Sequence, residues 1–117
     1  MIYLASPYSH ADPAVMEQRF YTVAEAAGHL MLRGIIAFCP IAHSHPIFKM
    51  VPATGARYED WARMDEEMID YCKEVWVLML DGWEVSRGVN AEMEYAKSKG
   101  YPVRLVDPDL LQITRTL

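Results

Sequence analysis

Six consecutive apolar residues, Val75 to Leu80 (VWVLML), constrain this chain more than any other stretch. A run this short and this rich in valine and leucine reads as a strand buried on both faces. Such a strand needs helices above and below it, which is the arrangement of a parallel α/β sheet. The run leads into the stretch Asp81–Glu92, whose loop, Asp81–Gly88, carries Gly82, Ser86 and Gly88. A helical pattern comes next, with Val89, Met93 and Ala96 on one side and Lys97, Lys99 and Gly100 at its end. Strand, glycine-bearing loop and helix together point backbone N–H groups and a positive dipole end at an anion. Ser86 adds a hydroxyl at the mouth of the loop, and Glu92 lies about one helical turn inside. A plainer reading stands beside this one. An acidic residue in a first turn offsets the helix dipole, and Gly88 can serve only to relax a turn.

The rest of the chain repeats the alternation. Ile2–Ala5 reads as a first strand, stopped by Ser6-Pro7-Tyr8-Ser9-His10. Asp12-Pro13 supplies an N-cap acceptor and a proline at the first helical position. The helix it opens is expected to run to about Arg33, with Met16, Phe20, Val23, Ala24, Ala27, Leu30 and Met31 as its apolar stripe. Gly34 ends it, and Ile35–Cys39 reads as a second buried strand closed by Pro40. From Ala42 to Arg57 no period is sustained, so this span is expected to be a long loop, either functional or mobile. Tyr58–Cys72 is a helix whose apolar face, Trp61, Met64, Met68, Ile69 and Cys72, has Asp65 set inside it. A strand over Pro102–Val106 succeeds the third helix. Leu110–Leu117 fits an edge strand, a short helix or a dimer contact. Strands and helices in this order give right-handed crossovers and a mostly parallel sheet. Ligands of such sheets bind at the carboxyl ends of the strands, where strand order reverses. The loops after the first three strands are therefore expected to open on one crevice.

With 117 residues the chain is expected to form one domain, 1–117. A net charge of −5 argues against a grip on polymeric nucleic acid, which needs many cations on phosphates, but leaves room for a single nucleotide. No basic, apolar leader opens the sequence and no apolar run approaches membrane thickness, so a cytoplasmic protein is expected, with no membrane partner. Cys39 and Cys72 have no metal or redox spacing and read as small buried hydrophobes.

Asp65 is the most informative residue outside the opening stretch. A carboxylate on an apolar helix face must be paired, protonated or facing a cavity. An ion pair with Arg33 or Arg57 is its structural explanation. Together with Glu92 it suggests two-carboxylate chemistry at a sugar carbon, one group attacking or stabilising C1′ and the other protonating the leaving group. Tyr3 could steer such a glutamate with its phenol, and could equally be core. Ser6, Tyr8, Ser9 and His10 form a polar loop suited to hydroxyls or a phosphate, or a plain turn. Trp83 and Trp61 are candidates for stacking on a base. A rival set is His43-Ser44-His45, whose H-x-H spacing could hold a metal with Asp65 or His10. The preferred reading needs no metal and no cofactor.

Two of these segments, Ile2-Tyr3-Leu4-Ala5 and Ser86-x-Gly88-x-x-x-Glu92-x-x-x-Ala96, with Asp65 ahead of the third strand, resemble the nucleoside 2-deoxyribosyltransferase superfamily. The resemblance covers about Ile2 to Val106 and is strongest toward proteins that open with a Tyr-Leu-Ala-Ser-Pro-Tyr-Ser-His-like segment. It implies a flavodoxin-like three-layer fold with strand order 2-1-3-4-5, and subunits paired as dimers or higher. By position, Glu92 resembles the family's nucleophile, Asp65 the carboxylate that protonates or orients the base, and Tyr3 the tyrosine that positions the nucleophile. Position 86 separates two branches. Transferases of free nucleosides place an acidic residue there, and hydrolases of nucleoside 5′-monophosphates a serine. Ser86 thus points to a small-molecule nucleotide substrate, whose phosphate a carboxylate would repel and a hydroxyl beside a helix start would attract. The Ala42–Arg57 span, with its two histidines, does not match the characterised enzymes.

Overall fold

The structure, a computed structural model, describes residues 1–51 and 58–117. Its strands are β1 (Ile2–Ala5), β2 (Ala37–Phe38), β3 (Val75–Leu78), β4 (Val103–Val106) and β5 (Ile113–Thr116). Its helices are α1 (Pro13–Leu32), α2 (Pro40–Met50), α3 (Tyr58–Cys72) and α4 (Arg87–Ser98). The described strands make one sheet in the order β2-β1-β3-β4-β5. β1 is parallel to β2 and β3, β3 is parallel to β4, and only β5 runs antiparallel, on β4. This is a flavodoxin-like α/β fold.

The period of the strands explains the layers. Successive side chains point to opposite faces. Tyr3, Ala5, Val75, Val77, Val103 and Leu105 go to one face, where they pack on Ile69 of α3 and on Val89, Met93 and Ala96 of α4. Leu4, Trp76, Leu78 and Val106 go to the other, against Val23, Ala26 and Leu30 of α1 and Ile41 of α2. All four residues of β3 are buried, as its apolar run requires. Asp12 caps α1 by accepting from the Ala14 amide, with Pro13 at the first position.

Three expectations change. The span from Ala42 is not a loop at its start, because α2 runs from Pro40 to Met50 with Pro46 inside it. Its inward face is Ile41 and His45, so a histidine stands where an apolar residue would have marked the period. Pro46 costs one backbone bond, which packing against the sheet offsets. The remainder of that expected loop, 52–57, lies outside the described residues, as does the suggested Arg57 partner for Asp65. The second strand is shorter than Ile35–Cys39, since only Ala37 and Phe38 pair with β1. Met31 is 63% exposed and leaves the α1 stripe, while Ala26 joins it. The C-terminal segment resolves as an edge strand. Among the described residues no helix is long and apolar enough to cross a membrane.

Candidate active site

Sheet order reverses between β1 and β3, and a cleft of about 570 Å³ opens at their carboxyl ends. That is within the range of roughly 300–1,000 Å³ usual for small-molecule sites. Each of the first three strands hands a segment of chain to this cleft. Ser6, Tyr8 and Ser9 come after β1, Pro40, Ile41 and His45 after β2, and Val85, Ser86, Arg87 and Gly88 after β3. Asp65 and Trp61 enter from α3, Glu92 from α4. A smaller pocket of about 60 Å³ between α3 and α4 shares Trp61, Asp65, Gly88 and Glu92 with the cleft.

The floor is built from Tyr3. Its side chain is fully buried under the sheet's α3/α4 face, and its hydroxyl donates to Glu92 Oε2. Burial pushes the phenol's pKa well up, and the nearby carboxylates of Glu92 and Asp65 push it further, so Tyr3 stays a donor. Glu92 is itself pushed up to about 8, first by burial and then by Asp65, against the pull of the Tyr3 hydrogen bond. Asp65 is pushed up to about 7, chiefly by burial, again opposed by the Tyr3 hydroxyl. Its Oδ1 is buried with no hydrogen-bond partner among the described residues. Two desolvated carboxyls in one cleft, the Asp65 charge raising Glu92 further, favour keeping a proton on the pair near neutral pH.

Above this floor stands the start of α4. Ser86 is its N-cap and accepts from the Val89 amide at 3.2 Å. Asn90 braces the cap by donating to the carbonyls of Glu84 and Ser86. A Cβ on Gly88 would stand 4.0 Å from both Glu92 Oε1 and Ser86 Oγ, so the missing side chain keeps open the space between the acid and the cap. Arg87 stacks on the Tyr58 ring at 3.7 Å, closing a cation over the cleft's edge.

The structure thus brings Tyr3, Ser6, Tyr8, Ser9, Asp65, Ser86, Gly88 and Glu92 to one place. His10 and Trp83 stand apart from it. The His10 ring accepts from the Asp12 amide in the turn before α1, and Trp83 packs against the core beneath α4. Trp61, not Trp83, reaches the cleft. His43 and His45 do not form a ligand pair. His43 is exposed against Phe38, whereas both ring nitrogens of His45 are occupied, by Tyr8 and Glu17. Among the described residues no group of three His, Cys, Asp or Glu could hold a metal. Cys39 is buried, and burial pushes its thiol up to about 11.

Sequence reading missed Arg19. Its guanidinium donates to the carbonyls of Tyr8, Ser9 and Asp81, tying the loop after β1 to the loop after β3. Gly82, at φ +89°, lets that arginine approach, since a Cβ there would lie 3.1 Å from Nη2. A single arginine on a helix carries no signal of this in one dimension.

A family model describing a domain of unknown function, DUF1937, matches residues 1–107. The chain belongs to the DUF1937 family. The match takes in every cleft residue named above and stops just after β4. No curated protein matches this DUF1937 chain.

Proposed function

We propose that this protein cleaves or transfers the N-glycosidic bond of a nucleoside or deoxynucleoside 5′-monophosphate, by a retaining route through Glu92. The observation that carries the reading is the Tyr3–Glu92–Asp65 floor of the cleft, with the capped start of α4 beside it. Tyr3 donates to Glu92 and so favours its ionised form when a substrate settles the shared proton on Asp65. Glu92 then attacks C1′, the C1′–N bond breaks with its electrons going to the base, and Asp65 gives that nitrogen its proton. Water, surrendering a proton to the Asp65 carboxylate, next displaces Glu92 from C1′. The products are free base and sugar 5-phosphate, and a second base in place of water would make the reaction a transfer. Backbone N–H groups at the start of α4, with the Ser86 hydroxyl, suit the phosphate.

The resemblance to nucleoside 2-deoxyribosyltransferases supports the same roles, and it alone carries the pairing of subunits. A cytoplasmic location goes with the reading.

The test is incubation with a panel of nucleoside 5′-monophosphates, following free base by chromatography. Base is expected from at least one of them, and Glu92→Ala is expected to lower the rate by several orders of magnitude. A Glu92→Ala protein as active as the parent would overturn the assignment. Tight binding with no base released would mark a nucleotide sensor of the same fold instead.

A further inference from the structure

One wall of the cleft carries polar chemistry that the two carboxylates do not use. Tyr8, in the loop after β1, faces the cleft, and its hydroxyl lies 2.5 Å from Nδ1 of His45. His45 is 5% exposed, stacked on Phe20 at 4.4 Å between ring centroids. Its Nε2 lies 2.7 Å from Glu17 Oε2, which Lys49 Nζ also meets at 3.0 Å. Lys49 and His45 hold the Glu17 carboxyl below its ordinary range, so it is ionised and can only accept. Nε2 must then carry the ring hydrogen. In the neutral ring Nδ1 is left with a lone pair, and the Tyr8 hydroxyl donates to it. In that state the phenol's one hydrogen is consumed, and only its oxygen lone pairs face the ligand.

We propose that His45 is a positioning residue that makes Tyr8 an acceptor-only group, so that the cleft selects ligands presenting an O–H or N–H donor to this wall. Ser6 supports the same subsite. It is 5% exposed, lines the cleft, and its Oγ has no hydrogen-bond partner among the described residues. A buried hydroxyl without a partner is costly unless something completes it. Met16, Ile41 and Phe48 flank the wall with hydrocarbon, which keeps water from competing for the bond. On the nucleotide reading above, on which the choice of probes rests, the donor is a base amino or imino group or a sugar hydroxyl.

The test has two arms. Nitrogen-15 NMR of the parent protein is expected to show the His45 ring protonated at Nε2 only, with the Nδ1 resonance moving in Tyr8→Phe. A ring protonated at Nδ1, or at both nitrogens, would overturn the proposal without any ligand being involved. In the second arm, affinities are compared for pairs of monophosphates that differ in one donor: amino against carbonyl at the base edge, and hydroxyl against hydrogen at the 2′ or 3′ position. The parent is expected to prefer the donor-bearing member of one pair by about tenfold, the worth of one good hydrogen bond, and Tyr8→Phe to lose that preference. Which pair responds identifies base or sugar. Equal preference in parent and Tyr8→Phe, with base still released, would sink this inference and leave the glycosidase reading standing. Release of no base from any probe sinks that reading instead, while the NMR arm still judges the wall.

Discussion

Glu92 and Asp65 have raised pKa values for a shared reason, since burial desolvates each, with the Asp65 charge adding to the rise at Glu92 and the Glu66 charge to that at Asp65, and this makes the site's pH behaviour readable. A carboxyl that titrates higher when folded than its unfolded value near 4 binds its proton more tightly in the native state. Its contribution to stability is full at low pH and is lost as pH rises through about 7 for Asp65 and about 8 for Glu92. Glu17, Asp70 and Glu74 act in the opposite sense, being held below their ordinary values and losing their contribution only in acid. The difference between the parent and an Asp65→Asn/Glu92→Gln variant isolates the pair. The parent's melting temperature, relative to that variant, is expected to fall between about pH 5 and pH 8.5. Parallel curves for the two proteins would remove the coupled pair from the account. Base release is expected to peak between about pH 7 and about pH 8, where the pair carries one proton. The carboxylates themselves were visible as letters, Asp65 because it interrupts an apolar face. The hydrogen bond from Tyr3, eighty-nine residues before Glu92, was expected only through the family resemblance, because nothing in a β-strand's own pattern reveals what lies across a sheet.

At the scale of elements, α4 does two jobs with one residue. Ser86 satisfies an orphan amide of the helix start and stands beside the place proposed for a phosphate. Ser86→Asp separates these tasks, because aspartate caps as well as serine does but brings a negative charge. The variant is expected to unfold within about 0.5 kcal/mol of the parent. Its affinity for a monophosphate is expected to fall at least about tenfold, and that for the free nucleoside much less. Calorimetry on both ligands checks this, and an equal loss for the two would place the phosphate elsewhere. Most elements were legible: α3 spans the expected Tyr58–Cys72, and α1 begins at the Asp12-Pro13 signal. α2 was not, because Pro46 and an inward His45 hide its period. Only the apolar layer it covers makes that helix worth forming.

At the scale of the molecule, stability comes from two apolar layers, one on each face of the sheet. Leu78, fully buried in β3 at the centre of the sheet, should cost about 2–5 kcal/mol when cut to alanine. Leu32, 81% exposed at the end of α1, should cost less than about 0.5 kcal/mol for the same change. Denaturant unfolding distinguishes them, and similar losses for both would contradict this account of the core. The antiparallel β5, all of it exposed, lies at the edge and takes little part in either layer.

The amino-acid order by itself determined the alternation of strands and helices, the buried central strand, the cap of α1, and the placing of an acid on an apolar helix face. These are local properties, written in the spacing of apolar residues and in the chemistry of single positions. Tertiary structure alone decided that Arg19 ties two loops together, that α2 exists, and that Glu17, His45 and Tyr8 form one chain of contacts. Each of those joins residues distant in the chain, and their partners become neighbours only once the sheet has ordered its strands and turned its helices over them.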